Sequence, residues 1–340
     1  MPHAGALRRL RKMPSNEKDL ILKVSDLKMH FAIHKGLLGK TVGHVKAVDG
    51  VSFEIERGKT FGLVGESGCG KTTVGKCVLR IYEPTEGEIV YNGTNIAEFS
   101  HTEMAGIRRD IQMIFQDPYS SLDPRQSLKS ILKEAIVCDK KPHSTTEIEK
   151  RITELMISVG LDPIMMDRFP HELSGGQRQR LGIARALACN PDLIVCDEPV
   201  SALDVSIQAQ VINLLKKLQK ELGLSYLFIA HDLAVVRNIA DNIAVMYLGH
   251  IVETMDSDDI YAHSIHPYTK ALLSAVPITD YYEEQKRQRL PLEGEVPSPI
   301  HAPSGCPFHP RCPYATEECK KSMPELTERM PNHFVACHNV

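Results

Sequence analysis

Two hydrophobic periods alternate along the chain, and their changes mark its organisation. Apolar residues recur at alternate positions over 21–31 (ILKVSDLKMHF), as in a strand with one face exposed. VSFEI (51–55) and TFGLVG (60–65) predict further strands, the second ending in glycine. GEIVYNG (87–93) reads as a hairpin strand closed by an Asn-Gly turn, and IQMIFQ (111–116) as a buried strand. Between about 125 and 185 the apolar steps become three and four residues: SLKSILKEAI, EIEKRITELMISVGL and GGQRQRLGIARALA predict helices. The strand pattern then returns in LIVCDE (193–198), SYLFIAH (225–231) and NIAVMYLG (242–249), with a helix over 205–222.

This order predicts an α/β fold, a mainly parallel sheet covered on both faces. A helical subdomain is inserted at about 120–185. After about 265 the chain turns proline-rich, and four of its nine cysteines lie within 306–337. The expected division is a basic tail (1–20), a main domain (21–265) and a small, loop-rich C-terminal module (266–340). There is no internal repeat.

Composition changes the picture mostly by exclusion. Lys plus Arg number 40 against 43 acidic residues, a net charge of −3. That balance lacks the basic face of a nucleic-acid binder. No run approaches 18 apolar residues, so no span is expected to cross a bilayer. The N-terminus carries Arg8, Arg9, Arg11 and Lys12 without a following apolar stretch, which argues against a secretory signal. A cytosolic chain is expected, its cysteines reduced or bound to metal.

Candidate chemistry begins at Gly65-Glu66-Ser67-Gly68-Cys69-Gly70-Lys71-Thr72. The segment fits G-x-x-x-x-G-K-[ST] between an apolar strand and a helical stretch. Its glycines let the backbone curl into a nest of N–H groups, and the next helix aims its positive end at the same anion. Lys71 supplies a mobile positive charge for β and γ phosphates, and the Thr72 hydroxyl, followed by Thr73, can ligate Mg²⁺. Far along the chain, the strand 193–198 delivers Asp197 and Glu198 at its C-terminal end, where open α/β sheets bind ligands. Asp197 suits the Mg²⁺ shell and Glu198 the attacking water.

Leu173-Ser174-Gly175-Gly176-Gln177 makes the assignment narrower. It resembles the signature sequence of ATP-binding-cassette (ABC) proteins. A serine and two glycines opening a helix expose unpaired N–H groups to an anion. The resemblance implies that Ser174, Gly175, Gly176 and Gln177 meet the γ-phosphate of an ATP held by a second ATPase subunit. It also implies that Gln116 is the glutamine joining Thr72 and Asp197 around Mg²⁺. His231 corresponds to the switch histidine, Asp204 of Ser201-Ala202-Leu203-Asp204 to the interface loop, and Phe31 to the aromatic that stacks on adenine.

Within that family, Phe115-Gln116-Asp117-Pro118, Ser121-Leu122-Asp123-Pro124-Arg125, His266-Pro267-Tyr268 and GEVPSPIHAPSGCPFHPRCPYA (294–315) look like the oligopeptide, dipeptide and nickel importers. The likeness covers about 21–340. Asp123 replaces a common Asn and Thr72-Thr73 a common Ser-Thr, without changing the chemistry. The implied protein is an ATPase subunit on the cytoplasmic face of the membrane. Its partners would be a second, paralogous ATPase, two permease subunits and, indirectly, an extracytoplasmic solute-binding protein. Peptides are the implied cargo; nickel, glutathione or another small solute, and a soluble non-transport ATPase, are the alternatives.

Cys306, Cys312, Cys319 and Cys337 are spaced x5, x6 and x17. These gaps exceed those of paired zinc-knuckle ligands and match no ferredoxin run. Spacing leaves a metal site of open type: iron–sulfur, zinc or none. The family resemblance implies a [4Fe-4S] cluster on the four thiols. Cys69 is read as a small filler within the glycine loop.

Overall fold

The computed structural model describes residues 19–35, 40–117, 119, 121–138, 144–276 and 294–340. The basic tail therefore lies almost wholly outside the described residues, as does Pro118.

Two long strands, β1 (Leu20–Lys35) and β2 (Lys40–Glu56), pair antiparallel, and β3 (Thr60–Val64) leads into α1 (Lys71–Val78). Next come β4 (Glu86–Tyr91), β5 (Thr94–Asn95), α2 (His101–Ile107) and β6 (Ile111–Ile114). Asn92 and Gly93 join β4 to β5 with φ of 47° and 77°, the left-handed pair that a tight hairpin needs. Three helices follow: α3 (Leu128–Val137), α4 (Thr145–Ser158) and α5 (Gly175–Leu187). Each starts on a serine, Ser127, Ser144 or Ser174, whose hydroxyl accepts a first-turn N–H.

The α/β order resumes with β7 (Leu193–Asp197), α6 (Val205–Leu222), β8 (Ser225–Ala230), α7 (Leu233–Arg237) and β9 (Asn242–Tyr247). The chain continues through β10 (His250–Asp256), α8 (Ile260–His263) and α9 (Pro267–Ala275). After a stretch outside the described residues come α10 (Glu317–Lys321), β11 (Thr327–Met330) and β12 (His333–Val335).

Among the described residues the strands form two sheets. One is antiparallel, in the order β2-β1-β4-β5. The other runs β11-β12-β10-β9-β3-β8-β7-β6, parallel from β9 to β6 and antiparallel beyond β9.

Alternation along each parallel strand divides the core. Leu193, Val195, Leu227, Ile229, Ala244 and Met246 face α1 and the antiparallel sheet. Ile194, Cys196, Tyr226, Phe228, Ile243, Val245 and Tyr247 face the other way, against the cluster that includes α3–α6. Cys306, Phe308 and Cys319 join this second cluster. The tail is thus packed on the main sheet and adds β11 and β12 to it, which its loop-rich composition did not announce. A buried carboxylate fixes the junction. Glu253 on β10 accepts from the backbone N–H groups of Ile265 (2.6 Å) and His266 (3.2 Å), and pairs with His333 Nε2 at 2.8 Å.

Candidate active site

Four adjacent parallel strands, β6-β7-β8-β3, end on one side of the sheet, and a candidate group leaves each end. Gln116 follows β6, Asp197 and Glu198 end β7, His231 follows β8, and the glycine loop follows β3. A cleft of about 930 Å³ lies there, lined by Glu66, Ser67, Gly68, Gly70, Lys71, Thr72, Thr73, Gln116, Glu198 and His231. Val45, Lys46 and Ala47 of β2 form another wall, and Ser201 and Ala202 reach it from the loop before α6.

Close backbone approach dictates the glycines. Gly70 has φ of 106°, and a Cβ there would stand 2.1 Å from the Ala47 carbonyl. Gly65 faces the Met246 carbonyl in the same way, at 2.2 Å. The Lys71 ammonium donates to the carbonyls of Gly65 (2.8 Å) and Glu66 (2.9 Å). Cys69 is buried under the loop, 3.6 Å from that ammonium, and does not line the cleft. Burial pushes its thiol up despite the lysine, so it is a packed, protonated side chain.

The carboxylates differ in setting. Asp197 is buried and accepts the Thr72 hydroxyl at 2.9 Å. Burial raises its carboxyl above the ordinary range, with Glu198 adding to the rise; the Thr72 hydroxyl, Lys76 and Lys71 offset part of it. A desolvated carboxylate beside a hydroxyl, short of positive charge, fits a hard oxygen-seeking cation such as Mg²⁺. Glu198 instead faces the cleft, taking the Gln116 amide at 3.0 Å and lying 3.4 Å from His231 Nδ1. Its φ of 44° is left-handed, a strained conformation for a non-glycine residue. Its N–H donates to the Ile229 carbonyl and its carbonyl accepts the Ser201 hydroxyl, which fixes that conformation.

The signature residues lie elsewhere. Ser174 and Gln177 close a reciprocal cap on α5, with Ser174 and Gly175 exposed and none of the four lining the cleft. Gly176 is pressed on α6, where a Cβ would meet Ile207 at 2.7 Å. Asp204 caps α6 by accepting the Ile207 N–H at 3.0 Å. The 201–204 loop therefore joins the cleft to the exposed signature helix.

Phe31 stands on the hairpin whose other strand walls the cleft. It sits directly across the hairpin from Val45 and packs edge-on against Tyr82, centroids 5.3 Å apart. Val45 lines the cleft; Phe31 does not. The wall formed by Val45–Ala47 carries no local sequence signal and was missed, as was the Tyr268 hydroxyl, which accepts the Glu66 N–H at 2.9 Å.

Three of the tail thiols, Cys306, Cys312 and Cys337, are raised, first by burial and then by neighbouring tail thiols. Burial pushes Cys306 up to about 11; Cys319, Cys337 and Cys312 each add to the rise. The Cys306, Cys312 and Cys337 sulfurs also receive backbone N–H groups from Phe308, Tyr314 and Asn339. This donor chemistry suits a thiolate-held group. The placement does not close on one: among the described residues no three His, Cys, Asp or Glu side chains are grouped to hold a metal ion.

Strand order, glycine cradle and acidic strand end together define a P-loop nucleotide-binding domain. The chain is similar to the ABC transporter family over residues 48–201 and to the oligopeptide/dipeptide transporter C-terminal region over 252–319. It is 52% identical to the oligopeptide transport ATP-binding protein AppF of Bacillus subtilis, covering 96% of this chain and 99% of that one. OppF of Escherichia coli is 49% identical, covering 95% and 97%. DppF of Haemophilus influenzae, a dipeptide transport ATP-binding protein, is 48% identical, covering 95% and 98%. Among solved structures, cbiO1 from Clostridium perfringens, part of an ABC transporter complex, superposes with a TM-score of 0.62 at 28% identity, over 72% of this chain and 92% of that one. The ADP- and phosphate-bound dimer of the cassette MJ0796 matches equally, with a TM-score of 0.62 at 29% identity, over 69% and 98%. The chain belongs to the ABC transporter family, among the ATP-binding proteins of its oligopeptide/dipeptide branch.

Proposed function

We propose that the chain is the ATP-hydrolysing subunit of an ABC importer for oligopeptides or dipeptides. The carrying observation is the convergence of Lys71, Thr72–Asp197 and Gln116–Glu198–His231 at four adjacent strand ends. Lys71 and the loop N–H groups bind the β and γ phosphates. Thr72, Asp197 and Gln116 would hold Mg²⁺, which neutralises phosphate charge as the terminal group transfers. Glu198 takes a proton from water as its oxygen joins the γ-phosphorus and the bond to the β–γ bridging oxygen breaks. His231 steadies the γ-phosphate beside it. Adenine lies against the β1–β2 hairpin, with Phe31, opposite Val45, offering the ring it stacks on.

The exposed Ser174–Gln177 turn supports a second site half, offered to ATP on a partner ATPase. Two such chains, this one and a paralogue, close around two nucleotides, and Asp204 crosses between them. A swing from mostly open to mostly closed requires about 5.5 kcal/mol of differential binding. Closure passes through Gln116 and the helices α3–α5 to two permease subunits, with a solute-binding protein beyond them. The proposed location, on the cytoplasmic face of the membrane, follows from the permease partnership; among the described residues no helix is long and apolar enough to cross a membrane.

We further propose that Cys306, Cys312, Cys319 and Cys337 hold a [4Fe-4S] cluster. Family resemblance and the four cysteines of one C-terminal segment support it; iron and sulfide assays of anaerobically purified protein would test it, and zinc or no metal would refute it. The transport reading is tested by reconstituting the chain with its permeases and binding protein. Peptide-stimulated ATP turnover is expected, and turnover indifferent to every peptide would defeat the reading.

A further inference from the structure

Glu66 is held from three directions, two of them from the C-terminal part of the chain. Its carbonyl accepts the Lys71 ammonium at 2.9 Å, and its N–H donates to the Tyr268 hydroxyl at 2.9 Å. Its carboxylate takes the Arg311 guanidinium on two prongs, at 2.7 and 3.2 Å. Arg311 lies between Cys306 and Cys312, in a short turn packed on the Tyr247–Tyr268–Phe308 cluster. The Arg311 side chain is 5% exposed and that of Glu66 26%, so this pair is sheltered from the screening that weakens surface pairs. One residue therefore separates the cysteine segment from the phosphate-binding lysine.

We propose that Arg311 is a positioning residue for nucleotide binding: by gripping Glu66 it sets the glycine loop and the resting place of Lys71, so the four-cysteine segment bears directly on ATP affinity. The inference rests on the cleft being the nucleotide site. Removing the guanidinium leaves a carboxylate unpaired beside the phosphates and loosens the loop that binds them. Both effects weaken ground-state binding. Neither reaches Glu198, Gln116 or His231, which leave other strands, so KM should change and kcat should not.

The test is titration of the full chain with a fluorescent ATP analogue, with turnover measured in the assembled transporter. Arg311→Met should lose about tenfold or more in affinity at near-normal kcat, with a smaller loss for Arg311→Lys. Glu66→Gln combined with Arg311→Met should bind better than Arg311→Met alone, because the stranded charge is gone. Affinity within twofold of wild type in Arg311→Met, a fall in kcat at unchanged KM, or no gain in the double variant would each overturn the proposal.

Should Arg311→Met not fold, amide exchange in Arg311→Lys decides. Faster exchange confined to 65–70 supports positioning; uniform acceleration assigns Arg311 to general stability and ends the idea. Lys71→Ala separates the two readings. If it binds nucleotide normally, the cleft assignment itself is lost; if it fails to bind while Arg311→Met binds normally, only the present inference is lost.

Discussion

The nucleotide cleft and the four-cysteine segment rest on the same sheet but are positioned by different forces. Each reactive group of the cleft leaves the end of a buried strand, so ladder hydrogen bonds fix it within its layer. The cysteines sit on short turns, α10 and the end of β12, and take their places from Phe308 and Tyr268 packed against the core. A site made of strand ends tolerates changes to its side chains. A site made of turns depends on the apolar contacts beneath it.

Glu198→Gln probes this contrast most severely. Turnover in the assembled transporter should fall about 10²–10⁴-fold while ATP binding persists. Reactivity of the tail thiols should stay unchanged, and normal turnover would remove Glu198 as the base. Phe308→Ala should do the reverse. Losing a fully buried ring costs about 3–5 kcal/mol in unfolding free energy, and faster labelling of Cys306 and Cys312 should accompany it. Thiols that label at the wild-type rate would mean the segment is held by something other than this packing.

Acid should also act on the tail. Burial lowers His266 to about 3, from 6.5 when solvated. The unfolded chain therefore binds a proton that the folded chain refuses, and the stability present above pH 6.5 is lost as pH falls toward 3. The slope from this group is at most about 1.4 kcal/mol per pH unit. The pH slope of the unfolding free energy, from chemical denaturation, should flatten by up to that amount in His266→Asn, which keeps an N-cap acceptor.

The smallest effect on stability is expected at Asp197. Its raised carboxyl is worse off ionised when folded than when unfolded, and that cost is present at neutral pH and fades in acid. Asp197→Asn should slightly raise the melting temperature of the nucleotide-free chain while removing Mg²⁺-dependent turnover. A lower melting temperature would contradict the sign.

Most strands and helices were legible because their apolar period is local. The 193–197 run, for example, is buried on both faces and reads as one unbroken apolar word. The glycine loop was legible for a related reason, since its conformation excludes nearly every other residue at fixed spacing. Phe31 was legible as a strand aromatic, directly opposite the cleft-lining Val45. Its motif position did not tell that its ring rests edge-on against Tyr82. Tail composition likewise hid β11 and β12, short strands that exist by pairing, β12 with β10 and β11 with β12.

What the chain determined by itself was chemistry carried within a few residues of one another: the cradle, the acidic strand end, the capped signature helix. Only tertiary structure decided which distant groups meet. Glu66 and Arg311 lie 245 positions apart, and Glu253 and His333 lie 80 apart. A local period fixes which face a side chain takes, but partners so far apart are chosen by the burial of two surfaces that no window of sequence contains.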